Sequence, residues 1–360
     1  MASVEWGKYR IDDLFKIQTS AKRFDANKVN IIENGRYPYV VRTSSNNGQK
    51  GFLDENESFL NAGNTISFGQ DTATIFYQEK PYFTGDKIKV LVPKVYKFNK
   101  KNAQFFLASM NIAFSKFSWG SSRFNVDVLK EQVIMLPTKC DSIDFEFMES
   151  FIEELEAERI EELEAYLSVS GLKDTQLTAD ELSALDKFNS IKWKKFNLET
   201  LFGKSTRGKR LKGDDRIGGN LPFVTAGETD EGISAFISND VEIFSSNTTT
   251  IDMFGSAKYR NYNYGADDHI AVVHTENLSK YAAIFVTSAC HKSAHNGDFS
   301  YSRNFYAKDA DKLYISLPVK NEQPDYELMS TLISAIQKLV IVDVVKFSDE
   351  KIKATKQVVG

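Results

Sequence analysis

The feature that most constrains this chain is a duplication. Phe145, Met148, Ile152 and Leu155 advance by the steps that keep side chains on one face of a helix. Tyr326, Met329, Ile333 and Ile336 repeat those steps 181 residues later, and Val340 extends the stripe. Two long helices therefore punctuate the sequence. Each apolar face needs a partner: the economical one is the other helix, the alternative being two unrelated amphipathic helices each lying on its own domain, and these residues are assigned to packing within the helix pair.

The segments preceding the helices match as well. Trp6-Gly7-Lys8-Tyr9-Arg10-Ile11-Asp12-Asp13-Leu14-Phe15 aligns with Trp193-Lys194-Lys195-Phe196-Asn197-Leu198-Glu199-Thr200-Leu201-Phe202, and Tyr37-Pro38-Tyr39-Val40 with Leu221-Pro222-Phe223-Val224. Thr65–Gly69 parallels Thr250–Gly255, and Phe83–Ile88 parallels Tyr264–Ile270. Ser122-Arg123 faces Ser302-Arg303, and Leu136-Pro137 faces Leu317-Pro318 just before each helix. Matches in one order with a slowly drifting offset mark a true internal repeat. The sequence predicts strands at Thr65–Phe68, Thr74–Tyr77, Ile88–Val92, Val241–Phe244, Ile270–Val273 and Tyr314–Leu317, with helices at Ala103–Met110 and Tyr281–Ala289. The expected fold is α+β: two similar domains in tandem, separated by two long helices packed as an antiparallel coiled-coil spacer. The expected divisions are a domain at 1–143, a helix at 144–167, a linker with a short helix at 168–190, a second domain at 191–323, a second helix at 324–347 and a tail at 348–360. Thr178 to Glu181 has the pattern of a capping box, and Asp325 is placed to cap the second long helix.

Charge bears on what such a chain can bind. The net charge is −4, but Asp144–Leu167 holds ten carboxylates against one arginine, so the remainder is mildly basic. That distribution permits nucleic-acid binding. No apolar run is expected to approach the roughly 18 residues of a membrane span, and the N-terminal residues lack an apolar signal segment. Cys140 and Cys290 are the only cysteines, too few for a disulfide framework, and both are expected as buried thiols.

Several chemistries are nearly present. Gly203 to Lys209 follows a nucleotide-binding loop until the last position, where Arg210 stands in place of the hydroxyl that would hold Mg²⁺. Cys290, His291 and His295 offer three soft ligands but no fourth. No Asn or Asp is followed by two prolines and an aromatic residue, no G-x-G-x-x-G follows a strand, and no strained nucleophile turn is evident. The sequence thus predicts a binding protein without catalytic residues, metal or cofactor. An enzyme site near Cys290, His291 and His295, or a duplicated protein-interaction scaffold, are the alternatives.

Two divergent domains, each followed by a long helix, with the Trp6…Leu14-Phe15 and Trp193…Leu201-Phe202 openings and the Leu136-Pro137 and Leu317-Pro318 exits, resemble the specificity subunits of type I and related type IIB restriction-modification systems. The resemblance covers essentially the whole chain. It implies that each domain is a target-recognition domain reading one half of a bipartite double-stranded DNA site. It further implies that the helices act as a spacer, and that DNA methyltransferase subunits, joined by a restriction subunit, dock on the helical region and carry the chemistry; a cytoplasmic location is expected from the missing span and signal segment. A helix of about 24 residues spans about 36 Å, close to the roughly 34 Å of one DNA turn.

DNA reading requires hydrogen-bonding side chains on loops for bases, and Lys or Arg for phosphates. In the first domain the candidates are Lys22 and Arg23; Arg42, Thr43, Ser44, Asn46, Asn47, Gln49 and Lys50; Gln70 and Thr72; and Ser118, Trp119, Ser121, Ser122 and Arg123. In the second they are Arg207, Lys209, Arg210 and Lys212; Thr225 and Glu228; Lys258, Tyr259 and Arg260; His291, Lys292 and His295; and Ser302 and Arg303. Alanine at Arg123 or Arg303 is expected to weaken DNA binding without unfolding the domain, a result that a shift assay at controlled salt would check.

Overall fold

In the computed structural model, which describes residues 4–115 and 126–359 with side chains to residue 354, one three-sheet frame is built twice. The first unit is Met1–Glu162. Its strand β1 (Glu5–Arg10) and the single turn α1 (Ile11–Leu14) lead into β2 (Phe15–Thr19), β3 (Tyr37–Val40), β4 (Gln49–Leu53), β5 (Thr65–Gly69), β6 (Ile75–Gln78), β7 (Phe83–Thr84) and β8 (Ile88–Pro93). Helices α2 (Ala103–Phe114) and α3 (Val126–Glu131), strands β9 (Val133–Lys139) and β10 (Ser142–Ile143), and the long α4 (Phe145–Val169) follow.

The second unit is Leu163–Gly360, so the division falls within α4. It contains α5 (Ala179–Asp186), β11 (Trp193–Asn197), α6 (Leu198–Phe202), β12 (Thr206–Arg207), β13 (Gly218–Val224), β14 (Ile233–Ile237), β15 (Thr248–Asp252) and β16 (Ala257–Arg260). Then come β17 (Gly265–Ala266), β18 (Ile270–Val273), α7 (Lys280–Ala294), α8 (Ala307–Asp311), β19 (Tyr314–Lys320), β20 (Gln323–Pro324) and α9 (Tyr326–Val359). The sheets of the first unit run β1-β9-β10, β2-β8-β5-β6 and β4-β3-β7. Those of the second run β11-β19-β20, β12-β18-β15-β16 and β14-β13-β17, the same order in every case. Val241–Phe244 forms no strand; only Phe244 makes an isolated bridge, to Tyr264.

The paired motifs explain one another. Trp6 lies opposite Pro137 in the β1–β9 ladder, and Trp193 lies opposite Pro318 in the β11–β19 ladder. The opening and exit of each repeat are thus neighbours in a single sheet, and the helix leaves directly from it. A second shared device is a buried tyrosine: the Tyr82 hydroxyl meets Thr65 Oγ1 at 3.2 Å, and the Tyr264 hydroxyl meets Thr248 Oγ1 at 2.9 Å. These contacts correct the alignment. Thr65 corresponds to Thr248 rather than Thr250, and Tyr82 rather than Phe83 corresponds to Tyr264.

Each frame closes over its own core. In the first unit Phe15, Phe98 and Phe106 pack edge to face, with ring centroids 5.2–5.7 Å apart, beneath α2. In the second, Val286, Cys290 and Ala294 of α7 fill the same role with smaller side chains. Cys290 is buried as expected, but Cys140 is exposed in the β9–β10 turn at φ 49°, where the equivalent turn has Asn321.

The long helices begin as the sequence indicates. Asp144 Oδ1 accepts the Phe147 N–H at 3.0 Å and Asp325 Oδ1 accepts that of Leu328 at 3.0 Å. The first turns of the apolar stripe, however, pack on their own domain rather than between helices. Phe145 and Met148 pack into the first unit's core, and Tyr326 and Met329 into the second's, because the first turns of each helix cap the domain they leave. Ile152 and Ile333 are half-buried, and Leu155, Ile336 and Val340 are exposed, Val340 at 73%. The inward face of α9 is instead Met329, Leu332 and Ala335, continued by Val345 and Ser348.

Helix α9 also runs on to Val359, through the residues expected to form a tail, since no glycine or proline interrupts it. By length and composition, Tyr326–Ala354 is long and apolar enough to cross a membrane, contrary to the reading of the sequence. Its buried face and its polar partners give it another use. Within the second unit the chain lies antiparallel along α9: Glu164 accepts from Ser348 at 3.3 Å, the Gln176 carbonyl accepts from Lys338 at 2.8 Å, and Glu181 accepts from Ser334 at 2.6 Å. Between these contacts Gly171, at φ 69°, supplies the left-handed residue that stops α4, and the predicted capping box at Thr178 and Glu181 starts α5.

Candidate nucleic-acid interface

In the first unit the turns β3–β4, β5–β6 and β7–β8 emerge together. The β3–β4 turn needs left-handed backbone at Asn46 and Asn47 (φ 48° and 53°), residues whose short polar side chains tolerate it, and at Gly48. With the segment after β2, these turns enclose a cleft of about 870 Å³ lined by Arg23, Arg42, Thr43, Gln49, Lys50 and Thr72, all predicted from sequence. Asn46, Gln49 and Lys50 also border an adjoining hollow of about 310 Å³.

The cations of this cleft fall into two kinds. Arg42 Nη1 donates to Asp71 Oδ2 at 2.5 Å, Lys87 Nζ donates to the same oxygen at 2.7 Å, and Arg23 reaches Asp86 at 3.3 Å. The Lys87 hydrogen bond, aided by the charges of Lys87 and Arg42, holds the Asp71 carboxyl below its ordinary range against the opposing effect of burial. Lys50 is exposed and has no carboxylate partner among the described residues. Lys22 sits over the rings of Phe24 and Phe59 at 4.6 and 4.7 Å. Thr43 pairs with the Ser45 hydroxyl, Ser44 is exposed, and Asn47 is spent on the fold, donating to the Tyr77 carbonyl at 3.0 Å. Gln70 is half-buried in the β5–β6 turn, its backbone N–H bonded to the Lys87 carbonyl. Ser118, Trp119, Ser121, Ser122 and Arg123 lie outside the described residues.

In the second unit the candidates form separate groups. Arg207, Lys209, Arg210 and Lys212 are exposed around β12 and have no carboxylate partner among the described residues. Their segment is held close: a Cβ on Gly208 would lie 1.7 Å from the Ala266 carbonyl oxygen, so only glycine allows this approach. A second group gathers at the end of α7. Lys258 pairs with Glu228 at 3.3 Å, and hydrogen bonding from Ser256 holds Glu228 below the usual carboxylate range. Beside them the rings of His291 and His295 stack at 4.8 Å. His291 Nδ1 accepts the Ala257 N–H at 3.1 Å, His295 Nδ1 faces the Phe254 carbonyl at 3.2 Å, and Lys292 is exposed. In a third group Ser302 and Arg303 line a pocket of about 350 Å³, with Arg303 over the Phe299 ring at 5.3 Å.

Three candidates of the second unit, like Asn47 of the first, serve the frame. Arg260 is 1% exposed and donates to Thr250 Oγ1 and the Tyr262 hydroxyl, both at 2.9 Å. Its equivalent is Gln78, 4% exposed, which donates to Ser67 and to the Asn47 carbonyl; both fill one inward polar slot under the turn. Tyr259 donates to Asn247 at 2.9 Å, and the backbone N–H of Thr225 bonds the Gly232 carbonyl at 2.8 Å to close the β13–β14 turn. What the sequence concealed is the set of carboxylates Asp71, Asp86 and Asp25 that orient or border the cations. The one available signal was that Asp86 recurs as Asp268.

The alternative of an enzyme site near Cys290, His291 and His295 is not favoured, since the cysteine is buried. Its side chain is 0% exposed within the core, where no substrate reaches it, and burial pushes the thiol up to about 12. The geometry defines a class: a duplicated binding protein that presents cations and hydrogen-bonding side chains on the turns of two matched frames.

Comparison with known proteins narrows that class. The chain belongs to the family of the type I restriction modification DNA specificity domain, whose model matches residues 3–165 and again 190–344. It is 26% identical, over 94% of its length and 96% of the relative's, to the type II restriction enzyme specificity subunit S.BcgI of Heyndrickxia coagulans. Its fold is similar to the crystal structure of the S subunit of the type I restriction-modification system of M. genitalium. That match has a TM-score of 0.61 at 17% identity, covering 99% of this chain and 95% of the other. Two family matches, one per unit, agree with the repeated sheet order.

Proposed function

We propose that this chain is the non-catalytic DNA specificity subunit of a restriction-modification system, each unit reading one half of a bipartite target. The observation that carries this reading is the division of labour between frame and turns. The tyrosine–threonine pair, the Trp–Pro ladder position and the helix-capping aspartates recur in both units. The turn residues do not: Val41 and Thr225 hold equivalent places in the two turns, and the next residue is Arg42 in one and Ala226 in the other. A shared frame with unlike turns is what reading two different half-sites requires.

The long helices serve as the spacer and as the seat of the DNA methyltransferase subunits, with a restriction subunit completing the complex in the cytoplasm. The exposed stripe Ile336, Leu339, Val340 and Phe347 on α9 supports a docking role, since apolar residues aligned on one solvent-facing side of a helix suit a partner helix.

The test is binding of the full chain, with its methyltransferase partner, to duplex DNA by fluorescence anisotropy across a salt series. Affinity is expected to fall linearly on a log–log plot, with a slope of about −0.9 per phosphate neutralised. A duplicated protein-interaction scaffold would instead show no salt-dependent DNA binding.

A further inference from the structure

We infer that Arg42, oriented by Asp71, reads a guanine in the half of the DNA target bound by the first unit. The inference rests on the specificity-subunit reading and assigns one residue a definite base.

A cation that grips phosphate needs charge and reach, whereas one that reads a base edge needs a fixed direction. Arg42 has the second character. Its Nη1 is committed to Asp71 Oδ2 at 2.5 Å, and Lys87 binds the same oxygen at 2.7 Å, so one carboxylate fixes both cations. The remaining guanidinium N–H groups have no partner among the described residues, and the side chain lines the cleft rather than extending from it. Lys50, in the same cleft, is exposed and unpaired and suits a phosphate. A planar donor fork held in one orientation matches the adjacent N7 and O6 acceptors that only guanine presents together in the major groove.

The arginine and its aspartate occur in one unit only. A Cβ on Gly69 would lie 2.5 Å from Thr74 Oγ1, 2.7 Å from Thr72 Oγ1 and 3.3 Å from Arg42 Cγ, so the threonines of the β5–β6 turn and the arginine stem crowd this backbone together. Gly69 pairs with Ile88 in its ladder as Asp252 pairs with Ile270, which makes Asp252 the equivalent residue. The second unit therefore has Ala226 and Asp252 where the first has Arg42 and Gly69. Its β15–β16 turn, Met253 to Ser256, is one residue shorter and contains no aspartate to match Asp71. Arginine and aspartate form one device, absent from the second unit. Asp71 is a positioning residue in it.

The experiment begins by mapping the target through sequencing of methylated bases in cells expressing the chain with its methyltransferase. The assembled complex is then titrated at fixed salt with duplexes carrying that motif, each guanine replaced in turn by 7-deazaguanine, which lacks N7 but still pairs. With the wild-type chain, one replacement within one block of the motif is expected to weaken binding about ten-fold. Arg42→Ala should bind the intact motif on the order of 10- to 100-fold more weakly, be indifferent to that replacement, and leave non-specific affinity and its salt slope unchanged. Asp71→Asn should reduce the discrimination at the same guanine and at no other. An equal loss on specific and non-specific duplexes, with the salt slope reduced by about one, would make Arg42 a phosphate contact and overturn the inference. So would a wild-type scan in which neither block contains a sensitive guanine, a readout that stands even if Arg42→Ala does not fold. A wild-type complex without any sequence preference would instead refute the underlying specificity-subunit reading.

Discussion

Replacing Arg207, Lys209, Arg210 and Lys212 together by alanine is expected to weaken DNA binding roughly a thousand-fold near 0.1 M salt, with little change in stability. These four side chains are exposed and have no carboxylate partner among the described residues, so their charge is fully available. Each phosphate neutralised contributes close to 0.9 to the slope of log affinity against log salt, so losing four contacts should lower the slope by about 3.6. The loss should be the same on specific and non-specific duplexes, because charge alone carries no sequence information. Because the segment is pinned by the Gly208 approach and by pairing of β12 with β18, the backbone should keep its place when the side chains are removed. An anisotropy salt series on the variant, with its melting temperature as control, checks both halves of the expectation.

The second large effect concerns stability. Glu181 is 5% exposed, accepts from Ser334 Oγ at 2.6 Å, from the Thr178 N–H at 2.8 Å and from Lys338 Nζ at 3.1 Å, while Asp174 shares the same ammonium at 3.5 Å. Burial alone would raise the Glu181 carboxyl, but these hydrogen bonds outweigh it and hold the group at about 2. Lys338→Met removes the cation and leaves a buried carboxylate, a change expected to cost roughly 3 kcal/mol and to loosen α5 and the linker from α9. The pH dependence has a definite sign. A carboxyl held below its ordinary value contributes stability that is fully present above about pH 4.5 and is lost as the pH falls toward 2. The gap in melting temperature between wild type and variant should therefore be widest near neutrality and narrow on acidification through that range.

How much of this was legible in the sequence depended on whether the determinant was local. The repeat, the helix starts at Asp144 and Asp325 and the capping box at Thr178 are set by neighbours in the chain, and the structure has them where the spacing indicates. The slip between Thr65 and Thr250 arose because Thr248, Thr249 and Thr250 are alike as letters, and only the long-range hydroxyl contact to Tyr264 distinguishes the first. The stripe on the long helices was correctly periodic, but its first turns are covered by the domain each helix leaves, since periodicity gives a face and not what covers it. Arg260 looked like a surface cation because an inward polar slot is formed by strands distant in sequence. Asp71 was visible only as part of a turn; its hold on Arg42 and Lys87 depends on three turns converging.

The central claim is that two unlike readers on one frame jointly specify a split DNA site. Sequencing the methylated bases in a host that expresses this chain with its methyltransferase tests it most directly. The account predicts two short specified blocks of different sequence separated by a fixed number of unspecified bases. A single uninterrupted block, or methylation without sequence preference, would contradict it.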